Sequence, residues 1–402
     1  MISPWQIKRM NIAVVYRLID QCGPISRIDI AKISQLAPAS ITKITRQLLD
    51  ADLIHETAQQ QSTGGRRAIS LMSNDHFQFL SIRLGRGCLD LAIYDLAGHQ
   101  YDYQSQPFIA IHEDDVVKEL IRAIEEMLRH RGTDLPLIAI AITLSGLVAT
   151  ETGIIRYTPH FGLRDCPLGS LIHQRFHLPT YIGNNTRAMA LAEHYLGNAQ
   201  DIEDSVLVSV HHGTSAGIIV ANEVFTYPDR DLGEIGHIQL DPLGETCQCG
   251  NIGCLETICS NPSILKRARQ LLGNSEYHSD LCMDDEIERV YQLATKGDAL
   301  CQPLVERAID ALGQAIAIIV NLFNPQKILI AGEIVSLGDR LFERLYKSLR
   351  HQTLTSFRKQ LKIDKAYFQN TPTIGGAALI KRAMLNGELL IKITNTKSSQ
   401  TD

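Results

Sequence analysis

One imidazole and three thiols stand within eighteen residues: His237, Cys247, Cys249 and Cys254. A neutral imidazole and three thiolates form the donor set of a closed tetrahedral zinc site. With four protein ligands no position is left for water or substrate, so such an ion is structural rather than catalytic. Gly250 and Gly253 let the backbone wrap closely around it. The alternative is three buried thiols beside a hydrogen-bonded histidine. Cysteines this dense, in a chain expected to be cytoplasmic, favour the metal, one zinc per chain. The other cysteines (Cys22, Cys88, Cys166, Cys259, Cys282 and Cys301) are scattered and read as core thiols. The total of nine is odd, and a disulfide framework is a poor reading.

A second group of residues suits nucleic acid. Thr42, Lys43, Arg46 and Gln47, with Ser40, fall on one face of a helix that starts at Pro38 and buries Ile41, Ile44 and Leu48. Small polar and basic side chains on one face match base edges and phosphates. Arg66 and Arg67 follow Gly64-Gly65 in a loop, where cations can enter a narrow minor groove.

The elements that must hold these residues are legible around them. Trp5 to Gln21 reads as an amphipathic helix with Ile7, Val14, Val15, Leu18 and Ile19 inward, stopped by Gly23-Pro24. Ser26 then caps a short helix, with Asp29 at capping-box spacing. A break at Gln35-Leu36-Ala37 leads to the Pro38 helix, and two short strands flank the Gly-Arg loop. This is the order of a winged helix-turn-helix. The competing reading is a three-helix protein-binding module with a basic loop.

Charge supports the division. Residues 1–72 hold nine Lys/Arg against five Asp/Glu, so with a net charge of −5 for the chain the rest carries −9. A basic head on an acidic body confines any polyanion to the head. Hydrophobic residues make up 45% of the chain, and no apolar run approaches the ~20 residues of a membrane span. A cytoplasmic protein of two or three domains is expected.

Beyond residue 72 three strands (77–84, 88–96 and 100–108) precede a helix at 113–131 and a buried apolar strand at 137–143. The pattern begins again near Ser205, with a long helix at 303–323 and another buried strand at 327–332. Two α/β lobes with a cleft between them are expected. The domain reading is 1–72, then 73–195 with a C-terminal helix of about 376–395 packed on it, then 196–375 carrying the metal and the assembly surface. Residues 387–393 read as a short apolar tail, and 394–402 as disordered.

The segment from His237 to Glu256, with its three cysteines, resembles the signature of the ROK family (repressors, open reading frames, kinases). The resemblance covers the body from about residue 77 onward and implies the actin/hexokinase-like, ribonuclease H-like pair of lobes. The runs 23–29, 36–43 and 321–328 resemble the family's repressors, a glucose-regulon repressor first and an N-acetylglucosamine repressor second. Family kinases end their first body strand in Asp-x-Gly-Gly-Thr, where this chain has Arg83-Leu84-Gly85-Arg86-Gly87. They place a catalytic aspartate where Asn185 stands, and a neutral amide cannot take a proton. The resemblance therefore implies no catalytic residue.

By the same resemblance Asn184, Glu234, His237 and Glu256 occupy sugar-contact positions. Glu234 and Glu256 serve equally well as groups that orient the metal ligands. The implied protein is a DNA-binding repressor of sugar genes that senses a sugar or sugar phosphate. The implied partners are double-stranded operator DNA, a second or third and fourth copy of itself, and the cytoplasmic domain of the phosphotransferase-system glucose permease. That last partner would recruit it to the inner membrane. The rivals are a ROK kinase of glucose or N-acetylglucosamine with an appended DNA-binding domain, and a zinc-stabilised scaffold.

Overall fold

The computed structural model describes residues 3–58, 69–75, 77–110, 112–132, 135–227, 232–272 and 283–398. The chain divides into two compact units. Unit 1 is 1–184 with 376–402, and unit 2 is 185–375.

Unit 1 opens with α1 (Pro4–Cys22), β1 (Ile25–Ser26), α2 (Arg27–Ser34) and α3 (Pro38–Asp50). Ser3 caps α1 with a full capping box, and Ser26 caps α2 by accepting from the Asp29 amide. The α1 stripe differs from expectation. Ile12, Val15, Tyr16 and Ile19 are buried, whereas Ile7 and Val14 are exposed and Leu18 is half-buried. The inward face runs i, i+3, i+4, i+7 from Ile12, and the outward one takes Ile7, Met10 and Val14. Cys22 is likewise exposed, not a core thiol. Gln35, in the left-handed region at φ 57°, ends α2. Pro38, which needs no amide partner, starts α3. Strands β2 (Ile54–Ala58) and β3 (Ile69–Ser73) pair antiparallel, and β1 joins the other edge of β3.

The body of unit 1 is a five-stranded sheet. Its β4 (Gln78–Gly85), β5 (Cys88–Asp95) and β6 (Gln100–Pro107) form an antiparallel meander. After α4 (Glu113–His130), strand β7 (Leu137–Leu144) pairs parallel to β4. A small sheet of β8 (Leu147–Ala149), β9 (Ile154–Tyr157) and β10 (Arg164–Cys166) follows, then α5 (Leu168–Phe176) and β11 (Thr180–Asn184) beside β7. One sheet face packs Leu80, Ile82, Ile140 and Ile142 against Val116, Leu120 and Ile124 of α4.

Unit 2 repeats the topology. After α6 (Asn185–Leu196), β12 (Ser205–Val210), β13 (Thr214–Val220) and β14 (Glu223–Val224) form the meander. A 3-10 turn (Ile235–His237), α7 (Glu256–Cys259), α8 (Asn261–Leu272), α9 (Met283–Thr295) and α10 (Cys301–Phe323) come next. Strand β15 (Lys327–Ala331) then pairs parallel to β12. After α11 (Asp339–Gln352) and α12 (Thr355–Arg358), β16 (Lys362–Lys365) closes the sheet beside β15. The inner face of α10 fills the core with Leu312, Ala315, Ile316, Ile319 and Val320.

The chain returns to unit 1 through α13 (Ile374–Leu385) and α14 (Glu388–Ser398). The expected C-terminal helix of about 376–395 is two helices, and the second takes in the apolar tail and extends through positions read as disordered up to Ser398. It is clamped to α1. The Arg9 side chain donates to the Asn386 carbonyl at 3.1 Å and Arg17 to that of Leu385 at 3.2 Å. Lys381 and Asp20 pair at 2.7 Å with side chains only 18% and 12% exposed. Gly387 sits at φ +81°, where a Cβ would come within 2.6 Å of the Arg9 carbonyl, so the close approach requires glycine.

Candidate metal centre and nucleic-acid interface

The four donor residues named from the sequence come together within unit 2. One ligand atom each from His237, Cys247, Cys249 and Cys254 lies within 4.8 Å of all the others. His237 Nδ1 is 3.6 Å from Cys247 Sγ, and Cys249 Sγ is 3.8 Å from Cys254 Sγ. A tetrahedron with metal bonds of ~2.0–2.3 Å has edges of about 3.3–3.8 Å, so the group can hold one metal ion.

Local backbone geometry makes this convergence. The amide of Cys247 donates to the Asn251 carbonyl at 2.7 Å, and that of Gly250 to the Cys247 carbonyl at 2.9 Å. Bridges pair Thr246 with Ile252 and Gln239 with Cys254. Burial pushes the Cys254 thiol up to about 12, and raises that of Cys247. The backbone amide of Asn251 lowers the exposed Cys249. Gly253 sits at φ +67° with its α-carbon facing the Asp241 carbonyl, and a Cβ there would collide with that oxygen. A Gly253→Ala protein is expected to bind less metal and to melt several degrees lower. Elemental analysis and a melting curve check this; full metal occupancy would show that the turn tolerates a side chain.

The carboxylates near the cluster differ in placement. Glu256, half-buried at the start of α7, accepts from the Thr214 amide at 3.2 Å. Its carboxylate also lies against Gly213 and Gly236, where a Cβ would come within 2.8 and 3.2 Å of it. Glu234 is exposed at the start of the 3-10 turn. Asn184 belongs to unit 1, where its side-chain amide donates to the Gly146 carbonyl at 3.1 Å.

Neither kinase position offers a carboxylate. Arg83 stands opposite Asp90 in the β4–β5 register, and its guanidinium reaches that carboxylate at 3.4 Å. Asp90 is 4% exposed and also accepts from the Tyr103 hydroxyl at 2.9 Å. A cation near the end of β4 thus pairs with the buried acid of β5. Asn185 opens α6 with a neutral amide.

On α3, Ile41, Ile44, Thr45 and Leu48 are buried. Thr42, Lys43 and Arg46 are exposed, with Ser40 and Gln47 half-buried beside them. Arg27 fixes the helix from behind. Its guanidinium donates to the Thr45 hydroxyl at 3.0 Å and to Glu56 of β2 at 2.8 Å. Arg66 and Arg67, named from the sequence, lie outside the described residues. Sequence reading missed the clamp between α1 and the α13–α14 turn. Its only signal was Asn386-Gly387, a break between two apolar runs.

Known proteins of similar sequence agree with this arrangement. The model of the ROK family matches residues 79–383. The DNA-binding transcriptional dual regulator NagC of Escherichia coli K12 is 45% identical over 96% of this chain and 95% of its own. The DNA-binding transcriptional repressor Mlc of the same organism is 38% identical over 96% and 97%. A ROK family transcriptional regulator described as a homologue of the E. coli MLC protein superposes with a TM-score of 0.89 at 42% identity, over 97% of this chain and all of that one. A ROK hexokinase from Thermus thermophilus shares the fold of the body, with a TM-score of 0.62 at 24% identity over 75% of this chain and 97% of its own. The body is therefore actin/hexokinase-like, and the chain belongs to the ROK family.

Proposed function

We propose that this chain is a transcriptional repressor of sugar uptake and utilisation genes that acts in the cytoplasm. Residues 1–72 form its winged helix-turn-helix, with α3 in the major groove and the β2–β3 loop, through Arg66 and Arg67, against the minor groove. Residues 73–195 with the C-terminal helices, and 196–375, form a body that keeps a kinase fold for sensing. The observation that carries this reading is the row of exposed Thr42, Lys43 and Arg46 on a helix whose opposite face is buried. Capture of genomic fragments by the purified protein tests it. Recovery of a palindromic motif supports it, and no enrichment over random fragments overturns it.

His237, Cys247, Cys249 and Cys254 hold one structural zinc, which when bound supplies a closed cross-link and no reactive position. Phosphoryl transfer needs a metal-binding carboxylate and a base, and Arg83 and Asn185 supply neither. Incubation with ATP and glucose or N-acetylglucosamine is expected to yield no sugar phosphate. Turnover that disappears in an Asn185→Ala control would restore the kinase reading.

Asn184, Glu234, His237 and Glu256 are the proposed carbohydrate contacts. Identity is higher to the N-acetylglucosamine repressor than to Mlc. This favours an N-acetylated amino sugar, free or phosphorylated, over a membrane permease as the signal. Release of bound DNA by one sugar of a panel identifies the ligand.

A further inference from the structure

The three thiols of the metal centre differ in access. Cys247 and Cys254 are 5% and 0% exposed, whereas Cys249 is exposed. It sits on a turn, residues 248–252, that is exposed at every position. The outer side of that turn is open, since a Cβ on Gly250 would meet no atom within 4 Å. Cys254 is held from behind. It bridges Gln239, and its Sγ donates to the His237 carbonyl at 3.7 Å. Gly253 before it sits at φ +67° against the Asp241 carbonyl. The Cys249 and Cys254 sulfurs are 3.8 Å apart. A disulfide needs about 2.05 Å, so the exposed sulfur has to close by only about 1.8 Å.

We propose that Cys249 is an oxidation site for hydrogen peroxide and that Cys254 resolves it, the two closing a reversible disulfide. As zinc ligands the thiols are deprotonated, the form that peroxide oxidises, and among them exposure selects Cys249. Its sulfur attacks one peroxide oxygen. The S–O bond forms, the O–O bond breaks, and the departing hydroxide takes a proton from solvent to become water. Cys249 is then a sulfenic acid, which condenses with a neighbouring thiol. The Cys254 sulfur attacks Cys249 Sγ, the S–S bond forms, the S–O bond breaks, and a second hydroxide leaves and is protonated. Two electrons pass from two sulfurs to one peroxide. Of the four donors His237 and Cys247 remain, too few to retain a structural ion. Glu234 and Glu256, two of the proposed carbohydrate contacts, flank the ligand set in the sequence. The oxidised body should therefore also lose its response to sugar. Loss of the ion rests on the zinc reading and loss of the sugar response on the repressor reading; the disulfide rests on neither.

The test uses the full-length protein carrying Cys22→Ser, because Cys22 is the other exposed thiol among the described residues. Hydrogen peroxide is added while a chromogenic chelator reads free zinc, and peptides are then mapped by mass spectrometry. The expected product is a Cys249–Cys254 disulfide, with one zinc freed for each disulfide formed. Dithiothreitol with added zinc should reverse both. A 1,3-dicarbonyl reagent present during oxidation should trap the sulfenic acid on Cys249 and leave Cys247 and Cys254 unlabelled. Cys249→Ser should abolish the disulfide and keep the Cys254 thiol reduced. If that variant fails to fold, the trapping result on the parent protein decides the order of attack. Zinc-bearing protein that keeps its metal and its free thiols under peroxide overturns the proposal and leaves the metal reading standing. A disulfide to a different cysteine, or trapping on Cys254, also overturns it. Protein that contains no zinc when freshly purified, yet forms the Cys249–Cys254 disulfide, supports the cysteine pair and sinks the metal reading instead.

Discussion

A Cys247→Ser protein is expected to lose the proposed zinc, melt well below wild type and repress poorly, all in one step. A serine hydroxyl stays protonated at neutral pH and cannot replace a thiolate ligand. The three remaining donors then hold an open, weaker site. Structural zinc contributes on the order of 10 kcal/mol to small domains that cannot fold without it. That is an upper bound here, because the loop is also held by its own backbone bonds, Cys247 to Asn251 and Gly250 to Cys247. Each kcal/mol lost lowers the melting temperature by about 2–4 °C in a domain of this size. The site lies in unit 2 and α3 in unit 1. Repression should therefore fall through the integrity of the body, with the helical signal of the head unchanged. Elemental analysis, melting curves and a reporter assay read the three effects. Full zinc occupancy or full repression in Cys247→Ser would reduce the cluster to a set of neighbouring thiols.

Arg46→Ala is expected to weaken operator binding by about ten- to a hundredfold, the effect of ~1–3 kcal/mol for a good arginine contact. Arg46 is exposed on α3 while Ile44 and Leu48 beside it are buried. The substitution should therefore leave stability within about 0.5 kcal/mol of wild type. Two outcomes distinguish the contact it makes. Relaxed preference at one base pair marks a base contact. Uniform weakening, with a shallower dependence of log affinity on log salt, marks a phosphate contact. Unchanged affinity would remove α3 from the groove. The measurement belongs in the full chain, because α1 is bonded to Leu385, Asn386 and Lys381. A head cut off at residue 72 lacks those supports.

What the sequence revealed depended on whether the signal was local. The metal donors were legible because all four fall within one short stretch, so their spacing carries most of the geometry. Helix α3 was legible because Pro38 and the 41, 44, 48 stripe both lie inside it. The α1 stripe was misread because Ile7 and Val14 continue a helical period as well as Ile12 and Tyr16 do. Which face is inward was settled by the packing of α2, α3 and β3, not by the period itself. The C-terminal helix was legible, but its break at Asn386-Gly387 and its contact with α1 were not, because that partner lies more than 350 residues away along the chain. The runs that resembled a glucose-regulon repressor are short. Identity over the whole chain is higher to NagC, since most of the alignment lies outside those runs.

The pairing of α1 with the α13–α14 turn also sets an order of events during protein synthesis. Unit 2 is contiguous, residues 185–375, whereas unit 1 draws on both ends of the chain. At ~5–20 residues per second, the ribosome takes about 10–40 seconds to pass from the end of the first segment to the start of the last. Throughout that interval the α1 surface that will meet Asn386 and Gly387 waits without its partner, and at its end unit 2 has its whole sequence. A polypeptide released early, before Lys381, consequently carries all four metal donors but lacks the support that Lys381 and the α13–α14 turn give α1. Translation has to reach its final stretch before the head is complete, so premature termination yields bodies without finished DNA-binding heads.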